Sequence, residues 1–416
     1  MFARRKCASW LAQATRRHLS SSPVPQRSEE RAALRDVLRA WTKENVEPQA
    51  LEFNREEKFN KALLVQLARD LDVLGPTVAT EDGGAGLDAA GACVVCEELS
   101  RSDPAFALSY LAHAILFVNN LYDNGSAAQK QKYLGRCLRG DLVGGMAMTE
   151  PGAGTDVLGM QTTALKREDG CWVLNGRKLW ITNGAHDDNT LGDVFLVYAK
   201  TDERKLSLFV AENGTAGFSL GQRIKDKCGM RASPTAELVF EDCVLTQSSL
   251  VGEEHKGVAP MMRNLELERL CLAAMSCGIA GRCLDAMRHY AADRVAFGKP
   301  IRDFGQIQRH LAESYAHFRA AKTFLYAVAA KGHHTRNRLD SDAAKLVASE
   351  MASAVANRAV QVLGANGYVA DFVVERLWRD AKLLEIGGGT SEAHHKNIAA
   401  DLHAFYNGQD LPEDDD

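Results

Sequence analysis

The spacing of apolar residues divides the chain into three regions. Between residues 29 and 140, apolar side chains recur at helical spacing, most clearly in segments 31–41, 61–71, 89–101 and 110–122. Between 141 and 252 the apolar runs are short and turn residues separate them, which indicates strands, most clearly at 171–174, 194–199, 207–210 and 237–240. Helical spacing returns between 253 and 407. The pattern predicts an α+β protein with an N-terminal α-helical domain, a middle antiparallel β domain and a C-terminal helical domain.

The two ends of the chain differ from its body. Residues 1–28 contain six of the 50 basic residues and none of the 54 acidic ones. This composition is typical of a mitochondrial transit peptide, although a basic tail without a targeting role would share it. Residues 408–416 form an acidic tail. The body is acidic overall, which argues against nucleic-acid binding, and no apolar run is long enough to predict a membrane span.

Cysteines and histidines do not form a pattern typical of metal sites. Cys93 and Cys96 have the spacing of a Cys-x-x-Cys pair, but they lie in an apolar helical pattern and no second pair follows. The histidine pairs at 333–334 and 394–395 have no carboxylate partner at ligand spacing. We therefore predict no metal site.

Three consecutive glycines interrupt the helical pattern near the C-terminus. Gly387, Gly388 and Gly389 follow a helical run, and Thr390 and Ser391 then provide a start signal for another helix. Glycine permits φ > 0 and close backbone approach, and free amides at a helix start attract phosphate. The segment is therefore either a tight turn between helices or a binding loop.

The sequence around this turn resembles the C-terminal signature of the acyl-CoA dehydrogenases, a family of FAD enzymes. The shared residues are Asp-Ala-Lys at 380–382 and Gly-Thr-Ser-Glu at 389–392. The resemblance extends from about residue 29 to 405, and it implies the family fold, in which the C-terminal domain is a four-helix bundle. It also implies an enzyme that acts on an acyl-CoA substrate with FAD as cofactor.

Four further motifs resemble family segments that contact FAD. They are the loop 148–156, the Trp-Ile-Thr at 180–182, the Arg-x-x-Phe-Gly at 294–298, which in the family reaches a neighbouring subunit's FAD, and the loop 361–368. Two positions depart from the family: Gly305 and Ala365 stand where a glutamine and a glycine are usual. The FAD-binding residues that the resemblance implies are Met146, Met148, Thr149, Thr155, Trp180, Ile181, Thr182, Arg294, Phe297, Gln361, Gly364, Ala365, Thr390, Ser391 and Glu392.

The position of the catalytic base cannot be carried over directly. Many family members have a glutamate immediately before the Gly-Thr, where this chain has Gly388. Abstraction of a proton α to a thioester needs a carboxylate in an apolar cleft. The candidates are Glu385, Glu392, Glu266 and Glu268. The last two lie about 200° apart on a helix, so only one of them can face the cleft.

Members of the family that act on isovaleryl-CoA carry the base elsewhere, in a Leu-Glu-Arg-Leu stretch, as do long-chain relatives. Residues 267–270 match that stretch. The resemblance therefore implies that Glu268 takes the α-proton, that Arg269 contacts the CoA arm, and that the β-hydride passes to the flavin to give a trans-2-enoyl-CoA. The alternative is that Glu268 and Arg269 form a solvated pair on a surface helix.

The same resemblance implies a short branched substrate, isovaleryl-CoA in leucine catabolism. The glycines leave room for a branched acyl group, and the implied substrate-binding residues are Leu108, Thr155, Glu266, Arg269, Leu272, Gly387, Gly388 and Gly389. It further implies electron transfer to electron-transferring flavoprotein and a homotetramer in the mitochondrial matrix. The alternatives are another short-branched or long-chain acyl-CoA dehydrogenase, an acyl-CoA oxidase, and a non-catalytic assembly partner.

Overall fold

The computed structural model describes residues 24–332 and 338–406. Residues 1–23 of the predicted transit peptide, the histidine pair at 333–334 and the acidic tail at 408–416 lie outside the described residues, whereas residues 24–28 belong to the first helix. The described chain consists of a helical N-terminal region, a central sheet and a helical C-terminal region. The predicted α+β architecture is therefore confirmed.

The N-terminal region is helical, and each segment predicted there to be helical lies within its helices. A π-helix, Ala112–Asn119, joins the fifth helix to the sixth, so that residues 104–124 form one continuous helical stretch. Asn60, Asp88 and Asp103 accept hydrogen bonds from first-turn amides of the third, fourth and fifth helices, which stabilises each start by about 1 kcal/mol. The helices are α1 Val24–Asn45, α2 Ala50–Glu56, α3 Lys61–Leu71, α4 Ala89–Ser102, α5 Pro104–Leu111, α6 Asn120–Asn124 and α7 Ala127–Leu138.

The central sheet has eight strands. They are β1 Gly144–Ala147, β2 Thr163–Lys166, β3 Trp172–Thr182, β4 Val194–Asp202, β5 Lys205–Glu212, β6 Phe218–Ile224, β7 Thr235–Leu245 and β8 Leu250–Val251. Their order in the sheet is β6-β7-β3-β2-β4-β5-β8, and β1 pairs with β4. Most neighbouring strands are antiparallel as predicted, but β1 and β2 run parallel to β4, and β1 enters the sheet from α7 rather than through a hairpin.

The C-terminal region returns to helices. They are α8 Val258–Asp293, α9 Gly305–Ala330, α10 Arg338–Leu363, α11 Val373–Leu384 and α12 Ser391–Tyr406, and a hairpin of β9 Val295–Ala296 and β10 Lys299–Pro300 separates α8 from α9. Helices α8, α9 and α10 pack against one another, and α11 packs against α8 and α10. These four helices form the bundle that the resemblance implied, while α12 packs outside it on α10.

Helix α8 belongs to two hydrophobic cores. Leu265 packs with Met146 in a core that the π-helix and the sheet share. Leu267 and Leu272 pack in a second core, which the N-terminal and C-terminal helices share. Glu268 is therefore placed where the two cores meet.

Two helical stretches are long and apolar enough to cross a membrane by length and composition alone, Pro104–Asn124 and Val258–Asp293. The expectation that no apolar run reaches this length is therefore wrong. The most apolar windows of these stretches are 83% and 78% buried inside the protein, as in the core helices of globular proteins.

A buried histidine joins the N-terminal helices to the sheet. His113 lies in the π-helix, and its Nδ1 accepts a hydrogen bond from the Gly144 amide at 3.0 Å. Nε2 therefore carries the ring hydrogen and donates it to the Cys137 carbonyl at 3.1 Å. Burial lowers the pKa of His113 to about 4, and protonation would also break the bond from Gly144.

We expect His113 to make stability fall on acidification. The folded state keeps the imidazole neutral to about pH 4, whereas the unfolded chain protonates it near pH 6.5. The contribution of His113 to the free energy of unfolding is therefore complete above about pH 6.5 and is lost as the pH falls below that value, by about 2 kcal/mol between pH 8 and pH 5. Urea unfolding of the wild type and of His113→Gln at both pH values checks this expectation. Equal pH dependence in the two proteins would contradict it.

Candidate active site

Glu268 and its neighbour Arg269 are buried in the middle of α8. Each is 7% exposed, so the pair is not solvated on a surface helix. Within the described chain, Oε2 of Glu268 has no hydrogen-bond partner. Burial raises the pKa of Glu268 to about 7, and the positive charges of Arg269 and Lys345 oppose this rise. A buried carboxylate with a free oxygen and a pKa near neutrality is suited to act as a general base.

The glycine turn faces this carboxylate. Gly388 has φ of 67° and Gly389 has φ of 105°, a backbone region that side chains rarely tolerate. A Cβ on Gly388 would lie 2.2 Å from Cδ1 of Leu272 and 3.6 Å from Oε1 of Glu268. The space beside the turn is therefore filled from α8. No hydrogen bond within residues 24–332 and 338–406 uses the Gly388 or Gly389 amide, so both are available to an acceptor in the cleft.

The other candidate carboxylates lie in different surroundings. Glu385 is half-buried at the end of α11, where Lys382 donates a hydrogen bond to it. Glu392 is exposed in the first turn of α12. Glu266 is buried like Glu268, but on another side of α8. Burial, a pKa near neutrality and contact with the glycine turn coincide at Glu268.

Trp180 lies at an irregularity of strand β3. The register between β3 and β7 shifts between Lys178 and Ile181, and within this bulge Trp180 has φ of 65° and is 56% exposed. A bulky residue in the left-handed region is strained, and such strain is concentrated at functional sites. Ile181 is buried and Thr182 half-buried, while Asn183 has φ of 62°. The bulge thus turns an aromatic ring out of the sheet and leaves a hydroxyl close to it.

The loop after β1 packs against the same part of β3. The Leu179 amide donates to the Thr149 carbonyl at 2.9 Å. The fully buried Lys178 donates to the Met148 carbonyl at 3.0 Å and to Glu150 Oε1 at 2.8 Å. These hydrogen bonds therefore fix the position of the loop relative to Trp180. The sequence does not indicate the roles of Lys178 and Glu150, because a charged residue within a strand is recognisable as buried only when its partner is known.

The implied acyl-pocket residues lie on helices that adjoin this strand. Leu108, on α5, is half-buried against the core that contains Leu272. The Asn183 side chain donates to the carbonyl of Ser109 at 2.9 Å and to that of Gly144 at 3.1 Å, and so ties the end of β3 to α5 and β1. Thr155 is exposed on the loop after β1, whereas Met146 is buried in β1.

A second group of implied FAD residues lies apart on the surface. Phe297 is 96% exposed and has φ of 51°, and Arg294 is exposed beside it. Gln361, Gly364 and Ala365 are exposed at and after the end of α10. No contact within the described chain brings this group to Glu268 or Trp180.

The start of α12 is capped as its sequence suggests. Thr390 Oγ1 accepts a hydrogen bond from the Ala393 amide at 3.2 Å, while Ser391 Oγ has no partner within the described residues. The three glycines are half-buried, so part of the turn surface is open to contact with a ligand. The segment is therefore both a tight helix–helix turn and a surface on which a ligand could lie.

The structure also brings two unpredicted charged residues to the turn. Asp342 and Lys345 of α10 are fully buried beside it. Their signal in the sequence is two charged residues three positions apart in a helix rich in alanine. Among the described residues no group of three or more His, Cys, Asp or Glu side chains could hold a metal ion.

Comparison with known proteins agrees with this geometry. Family models described as the N-terminal, middle and C-terminal domains of acyl-CoA dehydrogenase match residues 28–141, 145–243 and 255–403. The chain is 40% identical to the mitochondrial isovaleryl-CoA dehydrogenase of Arabidopsis thaliana, over 88% of this chain and 90% of that protein. It is 39% identical to the mitochondrial 2-methylacyl-CoA dehydrogenase of Solanum tuberosum, over 88% of this chain and 89% of that protein.

Solved structures give the same result. The fold is similar to that of butyryl-CoA dehydrogenase from Megasphaera elsdenii, with a TM-score of 0.85 and 33% identity, over 90% of this chain and 98% of that one. Three family models, relatives near 40% identity and this fold similarity all cover most of the chain. The chain therefore belongs to the acyl-CoA dehydrogenase family, whose members are flavoprotein oxidoreductases.

Proposed function

We propose that the protein catalyses the FAD-dependent α,β-dehydrogenation of a short branched acyl-CoA, and that its substrate is isovaleryl-CoA. The observation that carries the proposal is the buried Glu268 carboxylate against a turn with glycine at position 388. The similarity to isovaleryl-CoA dehydrogenases supports the choice of substrate.

Glu268 takes the α-proton of the thioester in this proposal. Its desolvated carboxylate has a pKa of about 7, because burial outweighs the nearby positive charges, and it therefore binds a proton more tightly than an exposed glutamate does. Negative charge develops on the thioester oxygen as the proton leaves, and we propose that the Gly388 and Gly389 amides, which no hydrogen bond within the described residues uses, donate to that oxygen. The α-carbon loses a proton, the β-carbon loses a hydride, and a double bond forms between them to give 3-methylcrotonyl-CoA.

The residues around Trp180 fit FAD. An aromatic side chain held out of the sheet can cover one side of a flavin, and the neighbouring Thr182 hydroxyl and the loop at 148–156 supply hydrogen-bonding groups. FAD held there would supply the acceptor for the hydride. Arg294 and Phe297 are exposed, and they lie beyond the end of the helix that carries Glu268. We propose that these two residues and the residues at 361–365 hold the FAD of a neighbouring subunit in a homotetramer.

The acyl pocket would take its shape from the glycine turn and two leucines. Leu272 fills the space beside Gly388, and Leu108 lies on the adjoining core. We propose that a branched acyl group packs against these two leucines and the backbone of the turn, and that Thr155 and Arg269 contact the CoA arm. The similarity to a 2-methylacyl-CoA dehydrogenase makes another short branched acyl-CoA the second candidate.

The proposal extends to the cellular role of the enzyme. We propose that it works in the mitochondrial matrix in leucine catabolism and passes its electrons to electron-transferring flavoprotein, because the relatives near 40% identity include mitochondrial isovaleryl-CoA dehydrogenases. An acyl-CoA oxidase would instead consume oxygen during turnover without that acceptor. Measurement of oxygen uptake with isovaleryl-CoA separates the two.

We expect Glu268→Gln to abolish reduction of the bound flavin. Glutamine keeps the size of the side chain but cannot accept the α-proton, so the rate of flavin bleaching in an anaerobic titration with isovaleryl-CoA should fall by at least about 100-fold. Glu385→Gln is the matched control, because that carboxylate pairs with Lys382 and lies beside the same turn. Rapid bleaching in Glu268→Gln would end the assignment of the base, and no bleaching in the wild type would favour a non-catalytic relative.

The activity should rise with pH through the pKa of Glu268. Only the ionised carboxylate can accept a proton, so kcat/KM at pH 6 should be about a tenth of its plateau above pH 8, given a pKa of about 7 in the free enzyme. The measurement is kcat/KM from pH 5.5 to 9 with an artificial electron acceptor. A flat profile over this range would contradict the proposed base.

We expect Gly388→Ala to discriminate against branched substrates. Its Cβ would collide with Leu272 and would take volume from the acyl pocket, so kcat/KM for isovaleryl-CoA should fall by about 10-fold or more relative to butyryl-CoA. The double variant Gly388→Ala, Leu272→Ala restores the volume and should recover much of the ratio. A wild-type preference for octanoyl-CoA over isovaleryl-CoA would defeat the proposed substrate.

A further inference from the structure

Helix α10 presents two charged residues to the turn and to α8. Asp342 and Lys345 are three positions apart, so they share one face of the helix, and neither has any exposed surface. Lys345 Nζ donates a hydrogen bond to the carbonyl of Gly389 at 2.6 Å. A buried ammonium is thus attached to the backbone of the residue that follows Gly388.

Asp342 is already paired with other side chains, so the positive charge of Lys345 must be balanced by a different carboxylate. Asp342 Oδ1 lies 2.9 Å from Nη1 of Arg269 and accepts a hydrogen bond from Nδ1 of His394 at 3.0 Å. Its Oδ2 accepts one from Asn397 at 3.0 Å. Asp342 is therefore matched by Arg269, whereas Glu268, whose Oε1 lies 3.6 Å from the position of a Cβ on Gly388, adjoins the turn to which Lys345 is bonded.

The electrostatics of the two groups agree with this pairing. Burial lowers the pKa of Lys345 to about 8, and the negative charge of Glu268 opposes the fall. Burial raises the pKa of Glu268 to about 7, and the charges of Arg269 and Lys345 oppose that rise. Each group therefore favours the charged form of the other. The titratable and charged groups around the pair are Arg269 and Cys271 on α8, Asp342 on α10, Glu385 after α11 and His394 on α12.

We propose that Lys345 is a positioning residue for Glu268, whose ammonium fixes the glycine turn through the Gly389 carbonyl and supplies the counter-charge of the ionised base. The proposal rests on the proposed role of Glu268. Lys345 is on another helix, 77 positions after Glu268, and it does not touch the reacting atoms.

The two parts of the role act together. The hydrogen bond to Gly389 holds the turn in its positive-φ conformation, with the amides of Gly388 and Gly389 free for an acceptor in the cleft. The positive charge makes ionised Glu268 tolerable in an apolar site, where an unpaired buried carboxylate is strongly disfavoured. When Glu268 takes up a proton, the ammonium loses its counter-charge. The unbalanced positive charge of Lys345 then stabilises the negative charge that develops on the substrate in the same step.

The test is the titration of the Glu268 carboxyl group itself. Infrared difference spectra report the protonated carboxyl band, and Glu268→Gln identifies which band belongs to this residue. In Lys345→Met and Lys345→Gln the midpoint of this band should move up by about one pH unit, and the pH profile of kcat/KM should move with it. Lys396→Met, on the exposed side of α12, is the matched control and should leave the midpoint unchanged.

The outcomes separate this proposal from the proposed function. An unchanged midpoint in both Lys345 variants would overturn the role of Lys345, even if kcat fell at every pH. Turnover that survives Glu268→Gln would instead overturn the base assignment, while the carboxyl titration would still report on the pairing of the two groups.

A second measurement, of thermal stability, tests the proposal even if a Lys345 variant is destabilised. Removal of the ammonium leaves the buried carboxylate without its counter-charge, so Glu268→Gln introduced into Lys345→Met should raise the unfolding temperature at about pH 7.5, where both groups are largely charged in the wild type. The same substitution in the wild-type background also removes the counter-charge of Lys345, so it should raise the unfolding temperature by less. An equal rise in the two backgrounds would show that the two charges are not coupled.

Discussion

The Glu268 carboxylate and the backbone of Gly388 share a space that has no room for a further side chain. A Cβ at position 388 would overlap Leu272 and would lie 3.6 Å from the carboxylate, and its backbone conformation would be strained. Position 388 therefore has no room for a side chain while Leu272 occupies the adjoining space. This steric exclusion gives a physical reason why the turn beside Glu268 has glycine at 388.

Burial of this carboxylate costs stability, and the fold offsets the cost around it. A pKa raised from 4.5 to about 7 means that the ionised group destabilises the folded state by about 3 kcal/mol at pH values above 7. Two hydrophobic cores meet on α8 at this point, and Leu265, Leu267 and Leu272 anchor the helix in them. The Asp342–Arg269 ion pair and the ammonium of Lys345, whose charge opposes the rise in the pKa of Glu268, keep the buried charges close to balance. The helix therefore holds a destabilising group in place because its neighbours on both sides are well packed.

The sequence predicted what depends on local pattern. Periodicity gave α1, α3, α4 and the helical stretch around 110–122, with α3 at its observed bounds, and the turn-separated runs gave four of the eight strands, β3, β4, β5 and β7. Gly388, where many family members have a glutamate, indicated that the base lies elsewhere, and the Leu-Glu-Arg-Leu match at 267–270 indicated Glu268. The parallel pairing of β1 with β4 depends on how the chain enters the sheet, which periodicity does not report. Lys345 could not be predicted either, because its hydrogen bond to Gly389 joins residues 44 positions apart.

The strain in the candidate site is held by polar contacts from outside it. Trp180 and Asn183 both have positive φ, and the segment between them would relax if its ends were free. Lys178 fixes one end through Glu150 and the Met148 carbonyl. Asn183 fixes the other end through the carbonyls of Ser109 and Gly144. Since α5 continues into the π-helix that packs on α8, a single helical stretch, residues 104–124, connects the Asn183 end of β3 to the helix that carries Glu268.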